Sequence, residues 1–356
     1  MVTGKQRRNL ISRRGLVMGS AAAAAFSIAP NLTRHALAQA DERLKRAREK
    51  GSVSWYTDSY PESMREALAQ TFEKKTGIRI SIYGGGGNAI VSRLRTERTA
   101  GSRTVDVVNA GDSEVLDGLV TDGILKSFQP EGADAIHPDF KNPKGYYYGL
   151  YFWTLVLEYN TRVVSKQNAP KTFEDLIDPK FKGKIVTADP ARSTGGLGFV
   201  KAMVTANSWD WIEKFLRNDP LVMSVTPQIQ PMVIRGERPI SLMTSQFTSK
   251  SIEEGAPVAL ATEEALFGSP DHVGILTDAP NPDGALLFVE HLLSKEAQEI
   301  VRKSGPYSCR VDVAPPFGML AVKDLKLRFK RAPRLDIPPG AIAERFHNML
   351  RTARQQ

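Results

Sequence analysis

Three loops in this sequence share a design suited to holding a ligand: Gly84 to Asn88, Gly111 to Ser113, and Ser193 to Gly196 each follow a short apolar run and open a helical pattern. A helix N-terminus presents N–H groups without intrahelical partners and about half a positive charge, and glycine lets a ligand approach the backbone closely. Facing one another, such loops would grip an anionic or polar solute mostly through backbone amides. Each loop also has a plainer use, in which Asn88 and Ser113 cap their helices and the glycines make turns. Gly86, Gly87, Asn88, Ser113, Ser193, Thr194 and Gly195 are the candidate ligand-binding residues of these loops.

Other chemistries find less support in the residue pattern. Gly111-Asp112-Ser113 puts a serine where a hydrolase could use it, but such a nucleophile needs an aspartate and a histidine paired late in the chain. His347 follows Glu344 with no aspartate at the matching spacing, and Asp271 and His272 are adjacent. No catalytic residue is expected. The histidines beyond the N-terminal leader, His137, His272, His291 and His347, lack the short spacing of metal ligands, so neither a metal site nor a cofactor is expected. Tyr146 to Tyr148 and Tyr151 to Trp153 form the densest aromatic run. Strand alternation puts Tyr151 and Trp153 on one face, either packed at a domain junction or serving as a stacking wall for an organic solute.

At 356 residues, 41% hydrophobic and 24% charged, the chain has an ordinary globular composition whose length suits about two domains. Its formal charge of +9 is concentrated at the start. Of 48 Lys and Arg, six (Lys5, Arg7, Arg8, Arg13, Arg14 and Arg34) lie in residues 1–38, which hold no acid; the rest carries 42 against 39 acidic residues, or +3. A body so weakly basic, without a run of Lys and Arg among aromatics, offers no footprint for nucleic acid. Ser12-Arg13-Arg14-Gly15-Leu16-Val17 resembles the twin-arginine export motif, and a weakly apolar core follows from Leu16 to Ala29. That core is too short for a membrane anchor. With small residues at Ala36-Leu37-Ala38, residues 1–38 read as a signal peptide and the body is expected in the periplasm. The single cysteine, Cys309, leaves no intrachain disulfide and no thiolate metal cluster to expect.

A sheet must position these loops, and the hydrophobic pattern supplies one. Val53–Tyr56, Ile78–Tyr83 and Val105–Val108 read as strands alternating with helices at Glu62–Lys75 and Ala89–Thr99. This rhythm implies a parallel sheet with its loops gathered at the strand C-terminal ends. Gly149 to Thr161 reads as a strand buried on both faces and as the hinge between two lobes. Gly183–Thr187 and Ile240–Met243 are strands beyond it, and His272–Thr277 is expected to cross back. The expected division is residues 39–150 plus 278–356 in lobe 1 and 151–277 in lobe 2. Ala314–Pro339 reads as a solvated surface course, followed by a helix on Ile342, Phe346 and Leu350. The cleft between the lobes is the expected site.

From Val53 to Asp312 the order of motifs resembles the extracellular solute-binding proteins of bacterial ABC importers, in the subgroup that includes the ferric-ion-binding proteins. The matching residues include Phe72-Glu73-Lys74-Lys75-Thr76-Gly77-Ile78, Asp106-Val107-Val108, Glu158-Tyr159-Asn160-Thr161, the run from Phe173 to Ile185, Gly255-Ala256-Pro257-Val258, and Leu293 to Gln298. The resemblance implies an α/β chain with the two-lobed type II periplasmic binding fold and a hinge of crossing strands. It implies a binding module, expected as a monomer, that closes on a small-molecule or anionic solute and docks on the membrane permease of an ABC transporter. In iron-binding members a pair of adjacent tyrosines follows the strand that here is Ile240–Met243, where this chain has Ser245-Gln246-Phe247. Ser193-Thr194-Gly195 matches the segment that binds an anion, and Thr57, Asp58 and Ser59 replace the metal-associated histidine neighbourhood. These departures imply a small organic or oxyanionic solute. Asp58, Ser59, Gly86, Gly87, Asn88 and Ser113 would act from lobe 1, and Ser193, Thr194, Gly195, Thr244 and Gln246 from lobe 2, with Trp153 near the hinge. A ferric iron carrier and a secreted enzyme on the same scaffold are the alternatives.

Overall fold

The computed structural model describes residues 29–58, 61–85, 87–111, 113–224 and 226–355, with side chains for all of these but 29–38, 87, 88, 113 and 114. Helix α1 (Ala29–Glu49) leads into β1 (Ser52–Thr57), α2 (Glu62–Thr76), β2 (Arg79–Gly84), α3 (Gly87–Thr99), β3 (Val107–Ala110), α4 (Ser113–Thr121) and the long β4 (Tyr148–Asn160). Then come β5 (Ile185–Ala188), α5 (Thr194–Asn207), α6 (Trp209–Arg217), β6 (Leu221–Met223), α7 (Ile229–Arg235), β7 (Ile240–Thr244), α8 (Ser245–Glu253) and β8 (Val258–Leu260). The chain closes with β9 (Glu264–Ile275), α9 (Pro282–Leu292), α10 (Lys295–Lys303), β10 (Tyr307–Ser308), β11 (Lys326–Phe329) and α11 (Pro339–Ala353).

β1 pairs in parallel with both β2 and β3, as helical crossovers require. β5 likewise pairs in parallel with β6 and β7. Between these two parallel sets run β4 and β9, antiparallel to each other from Tyr148 opposite Val273 to Thr154 opposite Gly268. β9 continues onto β3, while β4 continues onto β7 and β8. Two strands therefore belong to both halves of the molecule. Every residue of β4 except Trp153 is buried. Burying side chains such as Leu150, Phe152 and Leu157 stabilises the fold by about 2 kcal/mol each.

The core divides the same way. Trp55, Phe72, Phe152 and Phe288 anchor one cluster, and Phe199, Phe215, Phe267 and Phe346 anchor another. Trp153 packs against both. This is the two-lobed α/β architecture with crossing strands as its hinge.

Three expectations need correction. The returning strand begins at Glu264 rather than His272; Gly268, Ser269 and Pro270 break its propensity, and pairing with β4 carries the strand through those three residues. The stretch expected as a surface course contains β11, which pairs in parallel with β9 and is fastened by Arg328 to Glu174 and Glu264. Alternating Lys326, Arg328 and Lys330 gave it a solvated appearance. Finally, α11 does not join the first lobe. Its buried Ile342, Phe346 and Leu350 share a cluster with Phe199 and Phe215, and it packs on α5 and α6. An apolar stripe specifies that a helix packs, not which face receives it.

Candidate ligand-binding site

The ends of β1 and β3 meet the middle of β9 in a buried polar network. Thr57 Oγ1 donates to Asn109 Oδ1, and Asn109 Nδ2 donates to Asp271 Oδ1 and to the His272 carbonyl. Asp58 Oδ2 accepts the Gly111 N–H at 3.0 Å, while Asp58 Oδ1 is buried without a partner among the described residues. Asp271 is only 3% exposed and is hydrogen-bonded by Tyr151, which lies opposite it in β4. Burial pushes the Asp271 carboxyl well above the usual carboxylate range, and the neighbouring charge of Asp58 pushes it further. Burial raises Asp58 as well, opposed by the Gly111 N–H and by Asp271. Two interacting carboxylates in one desolvated site resist ionising together, because burial and mutual repulsion both oppose the second charge. A cationic group there would let both ionise.

Arg65 of α2 stands beside this pair. A Cβ at Gly84 would come within 2.8 Å of its guanidinium, so the glycine leaves the Arg65 head room against that strand end. Arg65 also lowers the Asp58 pKa through its charge.

The second half of the site is the N-terminus of α5. Ser193 caps the helix by accepting the Gly196 N–H at 3.3 Å, and its Oγ lies 3.1 Å from Thr226 Oγ1. Gly196 is forced by packing, since a Cβ there would lie 2.4 Å from the Ala188 carbonyl oxygen. Thr194 is exposed at the first turn, and Gly195 is buried behind it. Thr244 ends β7 with its methyl against Gly195; it is 6% exposed, and its Oγ1 has no partner among the described residues. Gln246, in the first turn of α8, is also buried and leaves Oε1 without a partner. The unpaired hydroxyl beside a helix N-terminus is chemically suited to an oxyanion, which accepts from both.

β4 joins the two halves. Tyr151 pairs with Asp271 at one end, and Leu155 pairs with Thr244 at the other. Trp153 lies between them, half-buried and edge-on to Phe267 at 5.8 Å. Ser59 and Gly86 lie outside the described residues, as do the side chains of Gly87, Asn88 and Ser113; the backbones of these last three form the first turns of α3 and α4. Sequence reasoning missed Asp271, Asn109 and Arg65. The signal for Asp271 was an acid within an apolar stretch, but the strand boundary set at His272 left it outside.

Among the described residues no three His, Cys, Asp or Glu side chains are grouped to hold a metal, and no helix is long and apolar enough to cross a membrane.

Residues 102–330, more than half of the chain, match the family of bacterial extracellular solute-binding proteins. Iron uptake protein A1 of Synechocystis is 25% identical over 276 residues, covering 72% of this chain and 75% of that protein. A putative 2-aminoethylphosphonate-binding periplasmic protein of Salmonella typhimurium is 27% identical over 277 residues, covering 74% and 77%. Among solved structures, iron-bound HitA from Pseudomonas aeruginosa superposes with a TM-score of 0.66 at 21% identity, over 85% of this chain and 99% of that one. AfuA from Actinobacillus pleuropneumoniae, with fructose-6-phosphate bound, gives a TM-score of 0.64 at 22% identity, over 85% and 97%. With the two-lobed fold and hinge already described, the chain belongs to the bacterial extracellular solute-binding proteins, the periplasmic solute-capturing components of ABC importers.

Proposed function

We propose that this protein captures a small organic solute carrying an oxyanion at one end and an amino group at the other, and delivers it as a monomer to the membrane permease. The observation that carries this reading is the opposite polarity at the two ends of Tyr151–Leu155. Asp58 and Asp271, two acids whose carboxyls burial raises, lie at one end. The α5 N-terminus with the unpaired Thr244 hydroxyl lies at the other. Four residues of strand span about 13 Å, which side chains reaching inward shorten to the length of a small zwitterion. The Salmonella relative is named for 2-aminoethylphosphonate, a solute of this class, and AfuA was solved with a sugar phosphate.

In this reading Ser193, Thr194, Gly195 and Gln246 hold the oxyanion, and Asp58 and Asp271 take the ammonium. Ser59, Gly86, Gly87, Asn88 and Ser113 complete the first wall, and Trp153 covers the carbon chain. A solute touching both lobes shifts the protein toward its closed form in proportion to its contacts with both. Export follows the twin-arginine motif, and removal of the leader near Ala38 gives the mature protein; N-terminal sequencing of the periplasmic form checks this.

Calorimetry with 2-aminoethylphosphonate, ethylphosphonate and inorganic phosphate tests the binding reading. The amino compound should bind at least tenfold more tightly than ethylphosphonate, a difference of about 1.4 kcal/mol or more. Changing Thr194→Val and Gln246→Leu together should weaken it by about 2–4 kcal/mol, through loss of a hydrogen bond from each side chain to the solute enclosed in the closed form. Unchanged affinity in the double variant would remove the second wall. A visible tyrosinate-to-iron band on adding ferric citrate would instead favour the iron reading, with Asp58, Asp271 and Tyr151 as oxygen donors. Release of a product from a bound solute would make the protein an enzyme.

A further inference from the structure

The corrected position of α11 puts a histidine against the turn that carries the second half of the site. His347 Nε2 donates to Asp189 Oδ1 at 2.8 Å. Asp189 is the residue on which that turn is built. The same carboxylate oxygen accepts the Ala191 N–H at 2.8 Å, and the Asp189 carbonyl accepts the N–H groups of Arg192 at 3.1 Å and Ser193 at 2.9 Å. Its own N–H donates to the Met223 carbonyl at 2.8 Å. Ser193, at the end of the turn, then caps α5.

Close packing does not hold this turn from behind. Between it and α11 lies a cavity of about 410 Å3, lined on one side by Pro190, Ala191 and Leu197 and on the other by Glu344, His347 and Arg351. A turn backed by open space is fixed by its polar contacts. Among the charged and titratable groups facing His347, Asp189 comes from the turn, and Glu344 and Arg351 from α11 itself.

We propose that His347 is a positioning residue for the α5 turn, which makes the C-terminal helix part of the binding apparatus as well as of the core. The imidazole fixes the Asp189 carboxylate, the carboxylate fixes the Ala191 amide, and the turn so held aims Ser193 and the first N–H groups of α5. The proposal rests on the reading of the α5 N-terminus as the oxyanion half of the site, so its test separates the two.

Amide hydrogen exchange on the ligand-free mature chain reads the turn directly. His347→Ala should speed exchange at Arg192 and Ser193 about tenfold while the amides of the last two turns of α11 keep their protection. His347→Gln retains a donor near the Nε2 position and should restore slow exchange. In calorimetry with 2-aminoethylphosphonate, the alanine variant should bind about five- to tenfold more weakly and the glutamine variant nearly as well as the parent. Unchanged exchange and affinity in His347→Ala would overturn the proposal, and so would a loosened α11 in both variants, which would mean a packing role only. Thr194→Val is the discriminating control. Weakened binding in Thr194→Val with a silent His347→Ala rejects this inference alone. No oxyanion binding by the parent, with Thr194→Val silent as well, rejects the site and this inference with it.

Discussion

Two buried carboxyl sites lie along the same strand pair, and they are built to opposite ends. Glu158, fully buried in the second lobe, is enclosed by hydrogen bonds from Ser241 at 2.8 Å, Thr248 at 2.7 Å and Gln230 at 3.5 Å. Asp58, after β1, and Asp271, in the middle of β9, have fewer donors than their oxygens can use, and Asp58 Oδ1 has none among the described residues. Burial raises the pKa of all three. At Glu158 the three donors oppose that rise from fixed positions on β7, α8 and α7; between the two aspartates a second acid adds to it. A closed set of donors makes a structural acid, whereas an open pair of acids keeps a place for something else.

Cutting away the closed site should have the largest effect. Glu158→Ala removes the acceptor for three buried donors and leaves a void, so it should cost about 3–4 kcal/mol of unfolding free energy in a denaturant titration. Loss of less than about 1 kcal/mol would mean that Glu158 is not the centre of that network. Asp271→Asn, at the open site, should do two things at once. It should weaken binding of 2-aminoethylphosphonate by roughly 30-fold, about 2 kcal/mol, by removing one charge from the pair. It should also raise the melting temperature at pH 8, because the parent must there either ionise a desolvated pair or keep a proton against the pH. A carboxyl raised by folding favours the native state below its unfolded value near 4, and that advantage is lost as pH rises through the folded value. The stabilising effect of Asp271→Asn should therefore fade toward pH 4. A variant less stable than the parent at pH 8 would break the contrast between the two sites.

The raised carboxyls of Asp58 and Asp271 sharpen the contrast further. On the proposed reading a solute ammonium enters between Asp58 and Asp271 and favours their ionised forms, so affinity should increase with pH by up to tenfold per unit wherever the free pair still holds a proton. Calorimetry in two buffers of different ionisation enthalpy counts the proton directly. Binding that is independent of both pH and buffer would show that the pair does not receive the cation.

How far the sequence reveals this site depends on what each residue's neighbours are. Ser193 to Gly196 was legible because a cap and glycines at a helix start are a local pattern, and local patterns survive in one dimension. The hinge was legible because β4 is apolar on both faces. Asp271 was not, because its meaning lies in Asp58 more than two hundred residues away and in a strand whose start is disguised by Gly268 and Pro270. Arg65 was hidden for a related reason: on α2 it is one charged residue among several, and only the approach of Gly84 shows where its guanidinium goes. The placement of α11 on the second lobe required knowing which groove α5 and α6 leave open, and no periodicity encodes that.

The smallest effect is the most discriminating. Glu158→Gln keeps the volume and one acceptor oxygen among the same donors, Ser241, Thr248 and Gln230. Desolvation raises this buried carboxyl by disfavouring its charge, so a neutral amide of the same shape alters little. Its stability should change by less than about 1 kcal/mol and its affinity for 2-aminoethylphosphonate not at all, in the same titrations that report the loss in Asp271→Asn. The same chemical change, carboxyl to amide, would then be nearly silent at one buried acid and disabling at the other. Since burial is shared by both sites, the cause of the difference would be the number of donors already in place. A large loss of affinity in Glu158→Gln would instead mean that the second lobe transmits to the cleft through the β4–β7 pairing, and that the two sites are coupled.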